Sequence, residues 1–189
     1  MENILILYSS TDGHTIKICQ ELQSVIEEQG HNVKIISIDE GSFLDLVQFD
    51  KVVIGASIRY GNHNKKVFDF VRSNKEILKK RPSAFFSVNI VARKINKNKP
   101  ENNPYLLKFL EKVDWKPSLV GVFAGKIDYP KYRPFDRLVI RLIMYITNGP
   151  TDPNAVVEFT NWERVREFGR AIVEMNLSHR LCKNNCGHL

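Results

Sequence analysis

Five short apolar runs, each separated from the next by a stretch of helical length, constrain this chain more than any other feature. The runs are Ile4–Tyr8, Val33–Ile38, Lys51–Ser57, Ser83–Val88 and Leu119–Ala124. They are short, rich in Val, Ile and Phe, and apolar at nearly every position, the pattern of strands buried on both faces. The stretches between them carry helical periodicity. Ile18, Cys19, Leu22, Val25 and Ile26 share one face of a helix expected over 15–29, with Gly30 suited to the position after its end and Cys19 read as a small core residue. Val67, Phe68, Val71 and Leu78 predict one helix near 65–80. Asn103-Pro104 reads as a cap and first-turn pair opening a helix with Leu106, Leu107, Leu110 and Val113 inward. Thr160 to Glu163 reads as a capping box before a last helix that buries Trp162, Val165, Phe168 and Ile172. Strands alternating with helices predict an α/β fold, a five-stranded parallel sheet with helices on both faces.

The 189 residues suit one domain, expected over 1–175, followed by a flexible tail at 176–189. Residues 126–159 are too long for a simple connection and read as an irregular functional insertion before the last helix. A hydrophobic content of 43% and a charged content of 26% are those of a soluble globular protein. Three cysteines argue against a disulfide framework and for a reducing compartment. The chain passes from Met1-Glu2-Asn3 straight into the first strand, so no secretory leader is expected, and no run approaches the roughly 20 apolar residues that span a bilayer. His179, Cys182, Cys186 and His188 crowd into ten residues with no scaffold, which reads as a frayed tail rather than a metal site; no metal is expected.

Charge is unevenly spread. Residues 1–60 carry a net −5 and residues 61–141 a net +12 within a total of +7. Such a basic zone favours nucleic acid, an anionic lipid surface or a polycarboxylate ligand. Lys94, Lys97 and Lys99 lack the interleaved aromatics of a base-stacking surface, so nucleic acid is set aside.

Ligands of open parallel sheets bind at the carboxyl ends of the strands. Behind the first strand lies Ser9-Ser10-Thr11-Asp12-Gly13-His14-Thr15, hydroxyl-rich, with one Gly for a sharp bend into a helix N-terminus, a ready phosphate site. The third strand runs into Ser57-Ile58-Arg59-Tyr60, the fourth into Ser87-Val88-Asn89 and on to Ala92 and Arg93, the fifth into Ala124-Gly125. An aromatic, small residues and amide donors there suit a flat heteroaromatic ring. The G-x-G-x-x-G of a dinucleotide fold is missing. A hydroxyl-rich loop without Lys or multiple Gly matches flavin mononucleotide (FMN) instead. Tyr60 is a candidate to stack on the ring, Asn89 to donate to its edge, and Arg59 and Arg93 to pair carboxylates. His63 reads as a surface-loop histidine first and a proton carrier second. No catalytic side chain is assigned, because the cofactor would carry the chemistry.

The loop Ser9-x-Thr11-Asp12-Gly13-x-Thr15 resembles the phosphate loop of the flavodoxin family. The stretches at 52–61, 82–94 and 129–152 resemble, within it, the menaquinone-dependent protoporphyrinogen IX dehydrogenases of bacterial haem synthesis. The likeness covers about residues 1–175. It implies FMN, strand order 2-1-3-4-5, oxidation of protoporphyrinogen IX to protoporphyrin IX, and menaquinone or ubiquinone as electron acceptor. By position, Ser9 to Thr15 would hold the phosphate, and Ser57 to Tyr60 with Ser87 to Arg93 would flank the ring. The alternatives are a soluble flavodoxin-type electron carrier and an FMN-dependent quinone reductase.

Within the insertion, residues 135–147 have helical length and are broadly apolar, with Arg137 and Arg141 one turn apart on a narrow polar stripe. With Lys126, Lys131 and Arg133 these suggest an interfacial helix on the inner face of the cell membrane, or one buried against the sheet or a second copy of the chain.

Overall fold

The computed structural model describes residues 1–40 and 44–176, so the tail expectations lie outside the described residues. Five long strands form the sheet: β1 (Asn3–Ser9), β2 (Asn32–Ser37), β3 (Lys51–Arg59), β5 (Ser83–Val88) and β6 (Leu119–Phe123), with β4 (Asn62–His63) a two-residue return strand on β3. All pairs among the five are parallel, in the order β2-β1-β3-β5-β6. Counted among themselves, this is the expected 2-1-3-4-5.

Alternation along the strands builds two cores. Leu5, Leu7, Val52, Ile54 and Phe85 point to one face, which packs on α2 (Lys65–Ser73), α3 (Lys75–Lys80) and α4 (Pro104–Val113). Ile4, Ile6, Val53, Ala84 and Phe86 point to the other, covered by α1 (His14–Glu27) and α6 (Trp162–Glu174), which bury Ile18, Cys19, Leu22, Val165, Phe168 and Ile172. Gly55 is required by packing: a Cβ there would lie 2.1 Å from Phe86 Cζ.

Several expectations need correction. The helix expected near 65–80 is two, because Asn74 folds back and the Phe70 carbonyl accepts from both its backbone N (3.0 Å) and its Nδ2 (2.9 Å). In α4 it is Phe109, not Leu107, that turns inward; Phe109 stacks on Phe85 with ring centroids 4.3 Å apart, while Leu107 is 47% exposed. The cap of α6 is Asn161, whose Oδ1 accepts from Arg164 N (3.1 Å), and not Thr160.

The insertion is ordered rather than irregular. β7 (Lys126–Asp128) and β8 (Val156–Glu158) pair antiparallel and frame α5 (Pro134–Ile146). Ile127, Tyr129, Tyr132 and Met144 make a small core of its own. The remaining apolar face of α5, with Phe135, Leu138, Leu142, Tyr145 and Ile146, is exposed, so burial of that face against the sheet is excluded. No helix among the described residues is long and apolar enough to cross a membrane.

Candidate functional site

Sheet register brings the strand ends level. Ser9 pairs with Ala56, Ser57 with Val88, and Val88 with Phe123, so the loops behind β1, β3, β5 and β6 meet at one edge. Between them and α5 lies a cavity of about 370 Å³, within the range of small-molecule sites. Of the residues singled out from sequence, Ser10, Thr11, Asp12, His14, Thr15, Ser57, Ile58, Arg59, Tyr60, Val88, Asn89 and Gly125 line it.

One end of the cavity is polar. Gly13 (φ +79°) turns the chain into α1, whose first N–H groups receive no side-chain cap. The Ser10 and Thr15 hydroxyls are buried there without a hydrogen-bond partner. Two orphaned hydroxyls beside free helix N–H groups form a donor set that fits a phosphate. His14, the first residue of α1, closes this end against Thr160, just before α6. The Thr160 hydroxyl donates to the Ala124 carbonyl (2.8 Å), so His14 Nε2 must be the donor in its 2.6 Å contact with Thr160 Oγ1. Burial also lowers the His14 pKa, so the ring is held neutral as the Nε2–H tautomer.

The other end is apolar. Ile90, Val91, Tyr105, Ile127, Tyr132, Val139, Ile140 and Ile143 line it, together with the strand-end residues. Sequence reading missed Tyr105, Ile127 and Tyr132, and took α5 as either interfacial or buried rather than as both exposed on one side and lining the cavity on the other. Helical periodicity could have shown that α5 has two apolar faces, with Val139, Ile140 and Ile143 on the second.

Arg59 sits at the mouth. Its Nη1 donates to Asp12 (3.0 Å) and its Nη2 to Asp136 of α5 (2.5 Å). The guanidinium lies 5.4 Å from the Tyr60 ring centroid and 5.7 Å from that of Tyr132. Tyr60 adopts φ +48° and donates its hydroxyl to Asp136. Burial raises the Asp12 pKa against the pull of Arg59, whereas the Tyr60 hydroxyl, followed by Arg59, lowers that of Asp136.

Residues 5–154 match the family described as Flavodoxin domain. This chain belongs to that family. Flavodoxin 1 of Bacillus cereus superposes on it with a TM-score of 0.54 at 16% identity, over 91% of this chain and 97% of its own, which shows the shared fold. Two relatives stand nearer in sequence. A protoporphyrinogen IX dehydrogenase [quinone] of Leishmania major is 41% identical over 92% of this chain and 76% of its own length. One of Escherichia coli (strain K12) is 41% identical over 90% and 94%.

Not every candidate residue of this flavodoxin domain reaches the cavity. Ser9 ends β1 and its carbonyl accepts from Ser57 Oγ (3.4 Å). Ala92 packs in the core. Arg93, expected to meet a carboxylate, instead binds the Ile90 carbonyl (3.1 Å) and Thr147 O and Oγ1 (3.0 and 2.7 Å), tying the end of α5 to the β5 loop. The Asn89 amide, expected at a ring edge, turns inward: Nδ2 donates to Ser87 Oγ (3.1 Å) and Oδ1 accepts from Ala92 N (3.1 Å). Arg137 and Arg141 do not form a free basic stripe, because their Nε atoms donate to the Tyr129 and Thr151 carbonyls (3.1 and 2.9 Å). Arg133 is exposed at the start of α5.

His63 is the largest reversal. It is 5% exposed, with Nε2 3.0 Å from Ser87 Oγ and its ring against Phe85 (5.5 Å) and Phe109 (4.9 Å). Burial lowers its pKa to about 3, so it is neither a surface histidine nor a proton carrier near neutral pH.

Proposed function

We propose that this protein binds FMN in the strand-end cavity and oxidises protoporphyrinogen IX to protoporphyrin IX, passing the electrons to a membrane quinone. The observation that carries the reading is the cavity's two-ended chemistry in a chain 41% identical to enzymes named for that reaction. A phosphate cradle occupies one end, and an apolar chamber of a size for flat rings the other. FMN would supply two-electron acceptance, so the six-electron oxidation would take three successive rounds, each returning its electron pair to quinone.

The protein's part is binding, orientation and exclusion of water. The Ser10 and Thr15 hydroxyls, with the first N–H groups of α1, would receive the phosphate. Ser57 to Gly61 and Val88 to Val91 would form the walls for the ring. Val139, Ile140 and Ile143 would roof the reacting edge and keep it dry. With the His14 pKa lowered by burial and its Nε2 turned to Thr160, and with His63 buried and unprotonated, the proton lost in each step would leave through solvent at the mouth.

The exposed face of α5 supports docking on an anionic lipid surface at the inner face of the cell membrane, where the quinone is dissolved. Phe135, Leu138, Leu142, Tyr145 and Ile146 are exposed there, with exposed Lys131 and Arg133 beside its first turn. Half-burying several such chains at about 1 kcal/mol each gives reversible attachment. A second copy of the chain is the other occupant of this face, and a monomer by sedimentation in dilute solution disposes of it.

The test is anaerobic mixing of FMN-loaded protein with protoporphyrinogen IX, then with menaquinone or ubiquinone. The flavin absorbance bleaches with the first and recovers with the second. A flavin that stays oxidised with porphyrinogen refutes the proposal and leaves a flavodoxin-type electron carrier.

A further inference from the structure

The guanidinium at the mouth of the cavity already holds two carboxylates of the protein itself. Arg59 offers Nη1 to Asp12 and Nη2 to Asp136, so each end of its fork already faces one carboxylate. Each aspartate takes a single contact, which leaves unused the paired geometry in which one carboxylate engages both ends of a guanidinium. The side chain is three-quarters buried and faces the Tyr60 and Tyr132 rings, so it has little freedom to seek another partner elsewhere.

The two aspartates differ in how firmly they are held. Asp12 belongs to the turn that enters α1 and lines the cavity. Asp136 lies outside the lining, in the first turn of α5. The seat of α5 does not depend on it: Arg137 and Arg141 fasten that helix to the 129–151 backbone, and Arg93 fastens its last turn. If Asp136 lets go of Arg59 it keeps the Tyr60 hydroxyl as a donor.

We propose that Asp136 is a resident counter-ion that an incoming ligand carboxylate displaces from Arg59, making the Arg59–Asp136 pair the determinant that selects carboxylate-bearing tetrapyrroles. This deepens the reading of function above and rests on it. The exchange keeps the guanidinium paired in both states, so a buried cation is never left alone. An esterified ligand cannot make the exchange and has to enter against an intact pair. Arg59 and Asp136 are positioning residues here; neither touches the reacting atoms.

The experiment titrates FMN-loaded protein with protoporphyrin IX and, separately, with its dimethyl ester, followed by the porphyrin absorbance shift. Wild type should prefer the free acid. Asp136→Asn, which keeps shape and a partner for Tyr60, should tighten the acid by about tenfold and leave the ester unchanged. Arg59→Gln should erase the preference, and Arg59→Lys should restore it only in part. Equal shifts for acid and ester in either variant mean a general packing effect and overturn the exchange, while porphyrinogen turnover by the wild type would still uphold the function. Failure of wild type to bind either porphyrin overturns the exchange, and the function falls with it only if the flavin also stays oxidised with porphyrinogen.

Discussion

Acidification should weaken this fold through His63 in particular. Its ring lies among Phe85, Phe109 and Phe68, and burial brings its pKa from the ordinary 6.5 down to about 3. The unfolded chain takes up a proton at this residue as pH falls below about 6.5, whereas the folded chain does so only near 3. Between those limits the unfolded state binds more protons, so stability falls as pH falls. Each pH unit costs about 1.4 kcal/mol, and the whole interval about 5 kcal/mol, a large share of the stability of an ordinary domain. His63→Gln can still reach Ser87 but does not titrate. Urea unfolding of wild type and variant at pH 7, 6, 5 and 4, at one fixed FMN excess, isolates the effect. The variant should be the less stable at pH 7, and the gap should close by about 0.7 kcal/mol from pH 7 to 6 and by about 1.3 kcal/mol per unit from pH 6 to 4. A gap constant across that range would show that His63 is not held neutral by burial.

Three further outcomes follow from individual contacts. Thr15→Val removes a buried hydroxyl without a partner, so FMN-free protein should melt no lower than wild type, while FMN affinity by flavin fluorescence falls about tenfold or more; a variant that melts lower yet binds FMN normally contradicts the phosphate assignment. Gly55→Ala forces a methyl into the Phe86 ring and should cost about 1–3 kcal/mol in urea unfolding, and an unchanged midpoint would mean that the β3–β5 layer yields more than its packing suggests. The double change Leu138→Glu and Leu142→Glu should abolish cosedimentation with vesicles containing anionic lipid while the flavin stays bound, and undiminished cosedimentation removes α5 as the lipid-facing element.

Most of the sheet could be read in advance because buried parallel strands are nearly continuous apolar runs, and Ile4–Leu7 or Val52–Ile54 admit few other interpretations. The turn into α1 was legible for a similar reason: a hydroxyl-rich turn with one Gly is a local device. What could not be read depended on contacts between distant segments. His63 stands among Gly, Asn and Lys in the sequence, and only the pairing of β4 on β3 carries it onto Phe85 and Phe109. Asn89 and Arg93 have donors suited to a ligand, but the chain's own groups at Ser87 and Thr147 reach them first. Leu107 and Phe109 differ by half a turn, and composition alone did not set the phase of α4. In α5, apolar residues on both sides look alike from the sequence, although one side roofs the cavity and the other meets solvent.

The hairpin that frames α5 has a consequence for how such a module can be exchanged. The insertion leaves and rejoins the chain through paired strands: Lys126 opposes Glu158, and the Gly125 carbonyl accepts from Phe159 N at 3.1 Å. Its two ends are therefore neighbours, and the entropy of closing so long an excursion is met at its base rather than by the sheet. The buried residues of the two main cores all come from outside 125–159. A cassette of different length or chemistry could be grafted between Asp128 and Val156 without re-registering any pair of the parallel sheet, so the roof of the cavity can change while its strand-end floor stays.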